Sequence, residues 1–157
     1  MTRPSNFQPA YGQLLNISQY LASTSIDQHL LDLISLRASQ INGCAFCLTM
    51  HVRDLLGRGE RQDRIAVLPA WRETTWFTDR ERAALAWTET LTILGEHGVS
   101  DELFVTASEQ FSERELADLT LAVILINGWN RLNIAFQNPP APFTDDEIAI
   151  AATTVSV

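Results

Sequence analysis

Apolar residues recur along this chain at intervals of three and four, the spacing that lines one face of a helix. Leu30, Leu33, Ile34 and Leu36 form one such set, and Ala84, Leu85, Trp87 and Leu91 another. No alternating pattern long enough for a convincing strand interrupts them. Helix starts are marked by capping boxes, in which a hydroxyl accepts from the third helical N–H while an acid or amide reaches back. Ser25–Gln28, Thr78–Glu81, Ser112–Glu115 and Thr144–Glu147 all fit. Ser100-Asp101-Glu102 adds an N-cap followed by first-turn acids. Gly57, Gly59, Gly95 and Gly98 fall where the apolar patterns end, as C-terminal caps should. The chain is predicted to be all-α, with helices near 11–23, 26–40, 43–58, 61–69, 79–95, 100–110 and 113–134.

The stretch from Pro69 to Phe77 reads as a connector, and the three prolines within Asn138–Pro142 cannot continue a helix. A single helical domain over 1–137 is therefore expected, followed by a Pro-rich connector and tail over 138–157. That tail would form a short helix from Thr144 or dock on a neighbouring subunit. In the helix from 113, Leu119 and the run Leu121–Ile126 are apolar nearly all round, as in helices buried in a core or between subunits. Asn127, Asn130, Arg131 and Asn133 follow it and read as hydrogen-bonded structural polars at an interface.

Composition narrows the function classes. A chain of 157 residues suffices for one domain with its own core. It is 46% hydrophobic and only 19% charged, which suggests that another subunit covers some apolar surface. The net charge of −8 argues against nucleic acid and against anionic membrane surfaces. No run approaches the roughly 20 apolar residues of a membrane span. The first residues lack the apolar stretch of a secretory signal. A cytoplasmic location is the expectation, and there paired cysteines are more often redox-active than structural.

The chemistry concentrates in Asn42-Gly43-Cys44-Ala45-Phe46-Cys47-Leu48-Thr49-Met50-His51. If this stretch is helical, Cys44, Cys47 and His51 share one face. Gly43 breaks the preceding helix, so both thiols enter the first turns of the next, where the macrodipole favours a thiolate. A base or positive charge at His51 would lower the thiol pKa of Cys47 further. A structural zinc site needs four ligands, more than one pair and one His supply. Covalent haem attachment needs His directly after the second Cys, where Leu48 stands. A structural disulfide would close too short a loop to add much stability. Two inert buried cysteines remain the alternative. Neither a metal nor an organic cofactor is expected.

Leu36-Arg37-Ala38-Ser39-Gln40-Ile41-Asn42-Gly43-Cys44-Ala45-Phe46-Cys47-Leu48-Thr49-Met50-His51 resembles the core motif of the alkylhydroperoxidase D-like proteins, in the carboxymuconolactone decarboxylase superfamily. The resemblance extends through Phe77–Glu89 and Ile126–Ile134. It implies an all-helical fold assembled as trimers or hexamers. It also implies reduction of hydrogen peroxide or alkyl hydroperoxides by the Cys pair, Cys47 attacking and Cys44 resolving. His51 would help ionise Cys47, and a thiol reductant such as a lipoylated protein would restore the dithiol. Two positions depart from the family pattern. A Glu twelve residues before the first Cys is Asp32 here, one methylene shorter, so that a water would bridge the gap. The imidazole found between the cysteines of the lipoyl-coupled members is Phe46. The decarboxylase branch lacks the paired cysteines, so their presence favours redox chemistry. Glu89 and Trp87 are read as neighbours of the site or as ordinary packing and surface residues, and His29 and His97 as exposed.

Overall fold

The computed structural model describes residues 8–147. Helix α1 (Gln8–Ala22) leads into α2 (Gln28–Asn42), α3 (Ala45–Gly57) and the short α4 (Gln62–Val67). A 3₁₀ segment (Leu68–Glu73) follows, then α5 (Asp79–Thr92), α6 (Asp101–Gln110) and α7 (Glu113–Phe136). The described residues contain no strand, and the fold is all-α as expected. The tail beyond 147 lies outside the described residues.

Capping decides most of the boundaries. The boxes at Thr78/Glu81 and Ser112/Glu115 both form, and Ser100 caps α6 alone. Thr144 and Glu147 exchange the same pair of bonds. The expected box at Ser25 does not form. Asp27 is the N-cap of α2, and the Gln28 amide donates forward to Asp32 Oδ1 (3.1 Å) instead of reaching back. Buried Ile26 enters the core ahead of the helix, which displaces the start by two residues. The connector after α4 also differs from expectation, since Leu68 and Trp71 pull it into a 3₁₀ turn by burying against the core.

Helix α2 is the central element, packed on α3, α5 and α7. Leu30, Leu31, Leu33, Ile34 and Leu36 are all buried there, each stabilising the fold by roughly 1.5–3 kcal/mol. At its end Gly43 adopts φ 69° and ψ 34°, the left-handed cap that turns the chain into α3. No atom lies within 4 Å of a Cβ built there. Gly43→Ala should therefore pay only the backbone penalty, a loss of about 1 kcal/mol in urea denaturation. Gly43→Asn should lose less, because Asn tolerates that conformation.

Helix α7 spans 24 residues, and by length and composition it is apolar enough to cross a membrane. Here it packs against α1, α2 and α5. Three of its polar residues, Asp118, Asn130 and Asn133, are buried: Asn130 is fully so and meets Ser39 Oγ (3.0 Å) and the Asn42 amide (2.8 Å). Asn42 also reaches Asn127 Oδ1 (2.9 Å). These amides bind α7 to the end of α2 within one chain, whereas the sequence placed them at an interface. The outward face of α7 carries Ile124, 60% exposed.

Candidate active site

Cys44 is the N-cap of α3, with extended backbone (φ −85°, ψ 95°), and its sulfur accepts the Cys47 N–H at 3.3 Å. The two sulfurs are paired, with Cα atoms 5.4 Å apart. Cys47, His51 and Leu55 then recur every four residues along the buried face of α3, as the spacing required. Both sulfurs are inaccessible, Cys44 being 1% and Cys47 0% exposed.

His51 sits one turn beyond Cys47, buried, with neither ring nitrogen hydrogen-bonded to any described residue. Its Nδ1 lies 3.9 Å from Asp32 Oδ1 and 3.8 Å from Asp54 Oδ2, too far for a hydrogen bond. Burial holds the imidazole pKa down at about 4, although the Asp32 charge opposes it. The imidazole is therefore neutral at pH 7. It can act as a proton acceptor but supplies no positive charge to the sulfur, which removes one of the two roles expected for it.

Asp32 is buried, not a solvated helix carboxylate. A buried charge needs partners, and Arg58 at the end of α3 donates to Oδ2 at 2.7 Å while Gln28 donates to Oδ1. With both oxygens so engaged, the gap from Asp32 to His51 stays open. Asp32, His51 and Asp54 offer three ligand atoms within 4.8 Å of one another. Of the residues present, these could hold a cation. Arg58 and Gln28 already engage both Asp32 oxygens, so the donor set is poorly suited to a metal ion.

A cavity of about 140 Å³ opens beside His51 and Asp32. Leu21, Leu31, Ala122, Leu125, Ile126 and Trp129 supply its apolar wall. The space is on the order of that needed for a benzene-sized molecule. A polar end at His51 and an apolar body form one continuous site.

Three residues outside the expected set join it. Asn133 of α7 places its amide nitrogen 3.6 Å from Cys47 Sγ, Arg58 pairs with Asp32, and Gln28 completes that carboxylate's shell. Asn133 was visible in the sequence only as one of several polars in an apolar helix. Nothing in local spacing connects it to a cysteine 86 positions away. Glu89 and Trp87 lie outside this constellation. Glu89 accepts from Arg37, Trp71 and Arg72, and Trp87 Nε1 donates to Thr120 Oγ1 (3.0 Å). His97 is exposed, but His29 is half-buried against Glu60 at 2.9 Å. The hydrogen bond to Glu60 raises the His29 pKa.

Comparison with known proteins places the fold and the family. YdfG of Bacillus subtilis, an uncharacterised protein, is 38% identical over 128 residues, covering 82% of this chain and 87% of the relative. The structure of ATU0492 from Agrobacterium tumefaciens superposes with a TM-score of 0.85 at 34% identity, over 91% of this chain and all of that one. Its function is also unknown, and a role in antioxidant defence of the AhpD type has been suggested for it. The debrominase Bmp8, in complex with 2,3,4-tribromopyrrole, shares the fold alone, with a TM-score of 0.71 and 17% identity over 94% of this chain and 78% of that one. The model of the carboxymuconolactone decarboxylase family matches residues 8–90, the span holding α2, the Cys44/Cys47 turn and α3. With more than half its length inside that match, and with AhpD-like solved neighbours, the chain belongs to the carboxymuconolactone decarboxylase family.

Proposed function

We propose that this protein is a cysteine-based peroxidase that reduces hydrogen peroxide or compact organic hydroperoxides. One observation carries the reading: a paired Cys44/Cys47 lies one helical turn from a buried, neutral and unpartnered imidazole that lines an apolar cavity. In the reduced protein, His51 accepts the Cys47 proton, directly or through a water. The thiolate attacks the peroxide, the O–O bond breaks, Cys47 becomes a sulfenic acid and the alkoxide leaves with a proton as alcohol. Cys44 then displaces water from the sulfenic acid, forming the disulfide. Asp32, held by Arg58 and Gln28, keeps a negative charge behind His51 and favours its protonated form during the transfer.

An external dithiol must return two electrons. Both sulfurs are buried, so the reading calls for small or thin reactants: a peroxide, and a flexible arm such as a lipoyl group. Assembly into trimers or hexamers belongs to the same reading, with the exposed Ile124, Phe104 and Val105 as apolar surface for subunits to cover.

The test is single-turnover consumption by pre-reduced protein. The compact tert-butyl hydroperoxide should be consumed at least as fast as hydrogen peroxide, with disulfide forming in step. Loss of thiols without peroxide consumption would defeat the proposal. A second reading has its own observation. Cys44 Sγ accepts a backbone N–H at the start of α3, an arrangement that lowers a thiol pKa and suits dithiol/disulfide exchange with Cys44 as nucleophile. Insulin reduction faster than peroxide reduction under matched reductant would favour it.

A further inference from the structure

We infer that Asn133 is the hydrogen-bond donor that stabilises the Cys47 thiolate, held in place from behind by Asn138. The inference rests on Cys47 being the reactive sulfur, as in the function proposed above.

The orientation of the Asn133 amide follows from its partners. Its nitrogen lies 2.9 Å from the Trp129 carbonyl, which can only accept, so the NH₂ end faces that way. Its oxygen accepts from the Asn138 amide at 2.8 Å. With one N–H given to Trp129, the second points toward Cys47 Sγ at 3.6 Å. Asn133 is buried, so without the sulfur that N–H would be an unpaired interior donor. Asn138 begins the segment that returns to α3, where Arg53 pairs with Glu147, donates to the Pro142 carbonyl (3.3 Å) and stacks over Phe143. The chain after α7 thus ties the donor to the helix that carries its acceptor.

Around the sulfur, α3 supplies Cys44 and the neutral His51, with Asp54 beyond it, and α2 supplies Asp32 paired with Arg58. From α7 the sulfur meets a neutral amide. A neutral donor favours a thiolate more than a disulfide sulfur, because the bond becomes charge-assisted only when the sulfur is anionic. Asn133 therefore lowers the thiol pKa and biases the pair toward its reduced form.

The test uses the full chain carrying Cys44→Ser, so that Cys47 is the only thiol. Its pKa is read from the pH dependence of iodoacetamide alkylation and of thiolate absorbance. Asn133→Leu, similar in size without the donor, should raise that pKa by about one unit and slow alkylation at pH 7 several-fold. Asn133→Asp should raise it further, since a carboxylate repels the thiolate. With both cysteines present, Asn133→Leu should shift the balance disulfide + 2 glutathione ⇌ dithiol + glutathione disulfide toward the protein disulfide. A folded Asn133→Leu protein with an unchanged Cys47 pKa would overturn the assignment. If that variant does not fold, the ¹⁵N side-chain resonance of Asn133 in the Cys44→Ser protein replaces it. A shift tracking Cys47 ionisation supports the hydrogen bond, and a flat response overturns it. A pKa raised by Asn133→Leu in a chain that consumes no peroxide would keep this hydrogen bond while removing the peroxidase reading.

Discussion

Reduced Cys44→Ser protein should consume about one equivalent of organic hydroperoxide per chain and then stop, whereas Cys47→Ser should consume none. The difference follows from where each sulfur sits. Cys47 lies on the face of α3 that continues to His51 and the cavity, while Cys44 is the cap residue, its sulfur turned to the Cys47 N–H. With Cys44 replaced, nothing can displace water from the sulfenic acid, and the product should appear as a mass increase of one oxygen on Cys47. With Cys47 replaced, Cys44 keeps its helix-terminal N–H but lies a turn farther from His51 than Cys47 did. If Cys47→Ser instead retains the burst and Cys44→Ser loses it, the first cysteine is the nucleophile. The exchange reading would then replace the peroxidase one.

His51 should make the native state less stable on acidification, alongside the carboxylates held by cationic partners. Unfolded, this imidazole takes a proton near pH 6.5; folded, burial delays that to about 4. Between those values the unfolded chain holds the extra proton, so stability falls as pH falls and levels off below the folded pKa. The interval corresponds to roughly 3 kcal/mol. His29 works in the opposite sense, because its pKa is raised by Glu60. Its contribution is complete below the unfolded value of 6.5 and disappears as pH rises through the folded one. The measurement is therefore a difference. Urea midpoints of wild type and His51→Gln, both kept oxidised, should diverge by about that amount between pH 7 and 4, with wild type losing more. A constant difference across this range would show that His51 is not buried as a neutral base. In a chain that keeps His51, Asp32→Asn removes the charge that opposes the shift, and the His51 pKa should move lower still by NMR titration.

Local rules carried much of the architecture. Two capping boxes and the Ser100 cap begin helices where the sequence placed them, and the Thr144 box forms too, because each is satisfied within four residues and needs no distant partner. The Ser25 box fails where a distant demand intervenes, the burial of Ile26 and the engagement of Gln28 with Asp32. The same division runs through the site. Cys44, Cys47 and His51 stand in one segment, and helical periodicity alone aligns them. Asp32 was reached only through the family pattern, and its burial against Arg58 could not be read from α2 alone.

From the chain's own residues came the helices, most of their N-terminal caps, the turn at Gly43 and the register that sets His51 one turn beyond Cys47. These depend on interactions spanning a few residues. The C-caps expected at Gly57 and Gly95 did not form, α3 being capped at Arg58 and α5 at Ile93. Only the packing of α2, α3 and α7 decided the rest. It made the imidazole neutral by burying it, formed an apolar cavity beside it and brought the Asn133 amide to the Cys47 sulfur. Desolvation and long-range hydrogen bonds belong to the whole bundle, and no stretch of sequence contains them.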